Sequence, residues 1–237
     1  HRVPCHPVSQ RGGPAAGDGE ARMNKSLILG SESPRRRDLL KELGVSYQVA
    51  VSGVDETLQT VSINPETLAE ELALKKAQAV ATGRAGGVVL GADTVVTLDG
   101  RVFGKPSDDQ EAIAMLQELR NRTHTVVTGI ALVNIYDKTS EVTHDATQVT
   151  MRNYTNNEIA DYIATGGPLD KAGAYGIQNH DFHPVSTTQG CYTNVVGLPL
   201  CRVSRLLTAN GLLLLQAEKW GPPESCPGCT YLKNEAP

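Results

Sequence analysis

Two long runs in the middle of the chain constrain its architecture most: "HTVVTGIALVNIYD" from His124 and "SEVTHDATQVTMRNY" from Ser140. Both are rich in β-branched residues, and only a turn near Lys138 separates them, so they are expected to pair as long antiparallel strands. The segments around them read as their cover. "NPETLAEELALKKAQAVATG" is a helix with Asn64 as its cap, Pro65 at its first position and Gly83 past its end. "DDQEAIAMLQELR" from Asp108 and "TNNEIADYIATGG" from Thr155 are two more helices. "SLILG" and "SYQVAVS" are short strands, and "GVVLGADTVVTLDGRVFGKP" reads as two strand runs broken at Ala92-Asp93, with a turn at Asp99-Gly100. Helices alternate with strands, some of them paired antiparallel. The expected class is therefore α/β, with a mixed sheet flanked by helices.

The ends differ from this middle. Residues 1–22 are rich in Pro, Gly and charge without periodicity, and are expected to be a flexible leader ahead of Met23. Residues 216–237 are turn-rich and expected to be a flexible tail, leaving residues 23–215 as the folded domain. No apolar run is long enough to span a bilayer, since "GLLLL" at Gly211 is far too short. The net charge of −4 argues against a general nucleic-acid binder, and 4% aromatics argue against base-stacking platforms. A phosphate ligand would have to meet a local cluster of cations. The five cysteines, Cys5, Cys191, Cys201, Cys226 and Cys229, form no disulfide framework, which points to a reducing compartment such as the cytoplasm. The lone "CPGC" lacks the second pair that a structural zinc needs.

Within "SESPRRRDLL", Ser33 and Pro34 make a well-formed helix start directly after a strand, where free backbone N–H groups attract anions. Three arginines, Arg35 to Arg37, then sit where the helix dipole favours acidic residues. Arg36 shares the stripe of Leu39, Leu40 and Leu43 and is expected at the mouth of the core. The plain alternative is a solvated charge run, with Arg35 paired to Asp38 one turn on.

Other chemistry-bearing residues are individually weak. Asp55 and Glu56 follow a strand, and by position alone they read as a solvated strand end. Asp93 interrupts an apolar, β-branched stretch, where an aspartate needs a partner or a bulge. Lys105 lies between Gly104 and Pro106, at the expected tip of a hairpin. Lys171 and Gln178 flank a segment of small residues that a ligand can approach closely, and Lys76 lies on a helix face. Each lysine is equally readable as surface charge. No HxH or HExxH spacing occurs, so a histidine-based metal centre is not expected.

Taken in order, "SESPRRRDLL", "VDE", "KKAQAVA", "GADTVV", "GKP", "RTHTVVTGIAL", "LDKAGAYGIQ" and "NVVGLPL" resemble the Maf-like proteins over about Lys25 to Leu207. The resemblance implies nucleoside triphosphate pyrophosphatase activity, cleaving between the α- and β-phosphates with a divalent metal, magnesium or manganese. It implies an elongated mixed sheet and two lobes with a cleft between them. On that carry-over Asp93, Glu56 and Lys105 are catalytic, Glu56 and Asp93 hold the metal, and Ser31, Arg35, Arg36, Lys76, Lys171 and Gln178 bind substrate. "GADTVV" and "THTVVTG" look like the dTTP/UTP branch. The partners implied are a nucleoside triphosphate, with no nucleic acid or membrane, and the resemblance leaves room for a homodimer. The chain departs from the family pattern at Gly167, across Asn179–Val185 and at Asn121; the first two flank the Gln178 segment and bear on selectivity and catalytic rate. The rival reading is a nucleotide-binding regulatory protein with little or no hydrolysis.

Overall fold

The hairpin around Lys138 forms the spine of the sheet in the computed structural model, which describes residues 25–54 and 64–212. Its arms are β5 (Thr123–Asn134) and β6 (Thr139–Met151), in register from Thr123↔Thr150 to Asn134↔Thr139. The other strands are β1 (Leu27–Leu29), β2 (Tyr47–Val49), β3 (Val88–Leu98), β4 (Arg101–Phe103) and β7 (Val185–Gln189). The sheet order is β2-β1-β3-β5-β6-β7, with β4 also on β3. β1 runs parallel to β2 and β3, and the remaining pairs are antiparallel, so the sheet is mixed as expected.

One expectation needs correcting here. β3 is not broken at Ala92-Asp93; its register with β5 runs unbroken from Val88↔Asn134 to Thr97↔Thr125. Asp93 stays in the strand because its carboxylate meets a buried cation, described below, so no bulge is needed to reach water. The turn at Asp99-Gly100 is present, with positive φ at both residues (51° and 80°), as a two-residue hairpin requires.

Among the described residues six α-helices cover the sheet: α1 (Pro34–Glu42), α2 (Pro65–Ala81), α3 (Asp109–Leu119), α4 (Asn156–Ala164), α5 (Tyr192–Val196) and α6 (Leu200–Ala209). Ser33, Asn64, Asp108 and Thr155 are their side-chain N-caps, and Thr155 with Glu158 completes a capping box. One face of β3 carries Leu90 and Ala92 into a core with Leu39, Leu40, Val203 and Leu207, and carries Val96 into a second with α3 and α4. The opposite face is covered by α2 through Ala69, Ala73 and Ala77. That helix lies so close that a Cβ on Gly91 would collide with the Ala73 carbonyl, and one on Gly129 with the Ala69 carbonyl. The glycines of "LGAD" and "VTGI" therefore set the depth at which α2 sits.

β5 occupies one edge of β3 over its full length. The other edge is shared: β1 pairs with Val88 to Leu90 and β4 with Val96 to Leu98. Among the described residues, 91–95 of β3 between them have no strand partner on that side. This opening in the sheet is where the candidate site lies.

Cys191 is a buried thiol outside any disulfide, whereas Cys201 is disulfide-bonded, which the expectation of a reducing compartment did not include. Among the described residues no helix is long and apolar enough to cross a membrane. Glu56, Asp55 and the "CPGC" pair lie outside the described residues.

Candidate active site

A cavity of about 1390 Å³ opens at the break in the sheet, and eight of the nine residues singled out above line it: Ser31, Arg35, Arg36, Lys76, Asp93, Lys105, Lys171 and Gln178. The ninth, Glu56, is the one outside the described residues. Because 91–95 is unpaired on one edge, consecutive residues on opposite faces reach the same space. Asp93 projects to the α2 side, and Thr94 projects to the side of α1.

On the α2 side, Lys76 Nζ donates to Asp93 Oδ1 at 2.5 Å. Lys76 is only 4% exposed and Asp93 8%, so this is a buried ion pair and not the surface lysine that its helix position allowed. Burying either charge alone would be costly; together, with hydrogen bonding, they are tolerated.

On the α1 side, Ser31 is buried and its Oγ accepts from Arg36 Nη1 at 3.2 Å and from the Ser33 backbone N–H at 3.3 Å. Arg36 Nε donates to the Gly197 carbonyl at 2.8 Å, and Nη2 to Thr94 Oγ1 at 3.0 Å. The guanidinium is fixed at the mouth of the core, as its place on the leucine stripe predicts. Gly197 follows α5 with φ 123°, a conformation that presents its carbonyl to Arg36 and that a side chain would resist.

Arg35 does not pair with Asp38. Asp38 instead accepts from Lys41, one turn on, while Arg35 Nη1 reaches across to Asp170 Oδ2 at 2.9 Å. Asp170 also accepts from Lys171, whose Nζ is bonded to the Gly167 carbonyl as well. Burial alone would raise the Asp170 carboxyl, but the hydrogen bonds from Lys171 and Arg35 outweigh it and hold it below the usual range. Lys105 is exposed and lies beyond β4, in the connection to α3, and not at a hairpin tip, because the tip is Asp99-Gly100. Gln178 is exposed on the rim.

Of the residues that the sequence did not flag, Tyr175 and Thr94 line the cavity and others support it from behind. Tyr175 lines the cavity and hydrogen-bonds His124 Nε2 at 2.7 Å, and burial pushes the His124 imidazole down to about 4, keeping it neutral. The departure at Asn179–Val185 has a structural use: Phe182 stacks on Tyr162 at 4.4 Å between ring centroids and packs on Tyr154. An aromatic in a segment where the family pattern favours glycine was the available signal. Thr94 and Thr128 gave none, because threonine is ordinary in a strand.

Among the described residues the cavity wall carries six cationic side chains (Arg35, Arg36, Lys76, Arg101, Lys105, Lys171) against four acidic ones (Glu32, Asp93, Glu111, Asp170), in a protein of net charge −4. Cations clustered around the start of α1, beside a buried carboxylate, are an arrangement in an α/β protein that attracts anions. A family model described as "Maf-like protein" matches residues 26–210, and the chain belongs to that family. It is 46% identical over 191 residues to the dTTP/UTP pyrophosphatase of Pelotomaculum thermopropionicum, covering 81% of this chain and 100% of that one. It is 47% identical over 195 residues to the protein of the same description from Moorella thermoacetica, covering 82% and 97%. A third, from Thermomicrobium roseum, is 44% identical over 204 residues, covering 86% and 93%.

Proposed function

We propose that this chain is a nucleoside triphosphate pyrophosphatase, acting on dTTP, UTP or modified pyrimidine triphosphates and releasing the monophosphate and pyrophosphate. The observation that carries the reading is the convergence of the family motifs' charged residues on one cavity with a cationic surplus. Arginine forks grip phosphate oxygens in pairs, which suits Arg36 and Arg35, while Lys105 and Lys171 add point charges. The two lobes would lie on either side of the opening along β3, with the triphosphate between α1 and the segment 170–178.

Asp93 has the position of the reactive carboxylate. Lys76 engages Oδ1, and Oδ2 makes no hydrogen bond among the described residues. In hydrolysis a water oxygen bonds to phosphorus as the α–β bridging P–O bond breaks, and the water's proton passes to the Asp93 carboxylate, directly or through a second water. The cations opposite balance the charge that grows on the departing pyrophosphate. The donor set suits magnesium, which takes one or two carboxylates and fills its shell with water and phosphate oxygens; Asp93 would hold it, with Glu56. When bound, the metal supplies further charge neutralisation at the phosphates.

The test is pyrophosphate release from dTTP, UTP, CTP, GTP and 7-methyl-GTP, each with magnesium and with EDTA. Metal-dependent release strongest with dTTP or UTP is expected, and Asp93→Asn is expected to abolish it while triphosphate binding persists. Near-normal turnover in folded Asp93→Asn protein would remove the assigned role. Binding of every triphosphate without release would instead identify a nucleotide-binding regulator.

A further inference from the structure

Arg36 is the inner end of a line of hydrogen bonds that leaves the cavity and crosses the sheet. Its Nη2 donates to Thr94 Oγ1 at 3.0 Å; Thr94 Oγ1 and Thr128 Oγ1 are 2.9 Å apart; Thr128 Oγ1 is 2.9 Å from the Asn194 carbonyl. Thr94 on β3 and Thr128 on β5 are direct register partners, so the two hydroxyls face one another across the strands. The direction of the line is forced. The Asn194 carbonyl can only accept, so it takes the one hydroxyl proton of Thr128. Thr128 must then accept from Thr94, whose own proton is thereby used, and Thr94 meets Arg36 with a lone pair. Asn194 is itself fully buried and anchored, donating from Nδ2 to the Val126 carbonyl at 3.0 Å and to Thr147 Oγ1 at 2.9 Å.

We propose that Thr94 and Thr128 are positioning residues for Arg36, a proton-ordered relay that fixes the plane of its guanidinium for phosphate. This rests on the reading of Arg36 as a phosphate ligand. Thr128 is fully buried and does not line the cavity, so any effect it has on substrate must pass through Thr94 and Arg36. With a valine at 128 the Thr94 hydroxyl loses its acceptor and is free to turn its proton toward the guanidinium, which then loses a partner. A misplaced phosphate grip weakens ground state and transition state alike, so KM rises while kcat holds.

The test compares the full chain with Thr128→Val, Thr128→Ser, Thr94→Val, Thr94→Ser and Arg36→Ala, in steady-state turnover of dTTP and in inhibition by inorganic pyrophosphate. Thr128→Val is expected to raise both KM and the pyrophosphate inhibition constant about tenfold, with kcat within about twofold. Thr128→Ser, which keeps the hydroxyl, is expected to restore both to within about twofold. If Thr128→Val does not fold, Thr128→Ala, which removes the hydroxyl without adding bulk, carries the same contrast; the Thr94 pair serves only as support, because Thr94 lines the cavity and also acts on substrate directly. A large effect in Arg36→Ala with none in the valine variants would overturn the relay and leave the function reading standing. A fall in kcat that serine does not rescue would also overturn it, marking a packing role. No effect in Arg36→Ala would remove the phosphate role of Arg36, and the relay with it.

Discussion

Replacing Lys76 by methionine tests the centre of the site most directly. The side chain keeps its length and apolar stem but loses the ammonium that faces Asp93 at 2.5 Å. Two unit charges at that distance attract by about 5–7 kcal/mol at an effective dielectric of about 20. Most of that is offset by the desolvation of both groups, and removing one partner of a buried pair costs about 3–5 kcal/mol. Asp93 lines the cavity, where water reaches part of the site, so the lower end, about 3 kcal/mol, is expected. For a chain of this size that is a fall of about 6–12 °C in Tm. Urea unfolding followed by circular dichroism should show the midpoint falling with the slope unchanged. The double variant Lys76→Met/Asp93→Asn leaves neither charge buried, so it should be more stable than the summed single losses allow, by about 1.5 kcal/mol or more. A loss under about 1 kcal/mol in Lys76→Met, or strict additivity in the double variant, would refute the account of a buried, mutually dependent pair.

Two other predictions concern the scaffold. Gly129→Ala should destabilise by more than about 2 kcal/mol, since the added methyl meets the Ala69 backbone and α2 must move as a body, whereas Gly167→Ala, facing the Thr165 side chain and, at ordinary contact distance, the Tyr162 ring, should stay within about 1 kcal/mol; denaturant midpoints distinguish them. His124 titrates at about 4 in the folded protein against 6.5 in the free side chain, because burial disfavours its charged form. Between those values the unfolded chain binds the extra proton, so stability is complete above pH 6.5 and falls by about 3 kcal/mol as the pH drops to 4. His124→Gln should flatten that part of the stability–pH curve, and an unchanged slope would show that other groups carry it.

Much of the fold could be read locally. The caps at Ser33, Asn64, Asp108 and Thr155, the turns at Asp99-Gly100 and Lys138, and the β-branched runs are signals within a few residues of one another. They located the elements from β1 to α4 with small errors at the ends, whereas β7, α5 and α6 were not read from the sequence. Where local reading failed, a distant partner had changed the cost of a conformation. Asp93 looked like a strand break because aspartate in an apolar strand needs a counter-charge, and that counter-charge comes from Lys76, 17 residues earlier. Arg35 looked paired to Asp38, but Asp170, 135 residues away, takes it.

The candidate site divides in the same way. The order of the charged motifs, and the placing of Arg36 on the leucine stripe, belong to the sequence alone, because charge, periodicity and motif order are properties of the chain in one dimension. The cavity itself belongs to the tertiary structure. It exists because β1 and β4 share one edge of β3 and leave five residues between them, a matter of strand register that no local pattern encodes. The threonines behind Arg36 acquire their role only there, since Thr94 and Thr128, 34 residues apart, become partners when β3 and β5 align. A hydrogen bond depends on atoms brought within about 3 Å, and only the folded packing sets that distance.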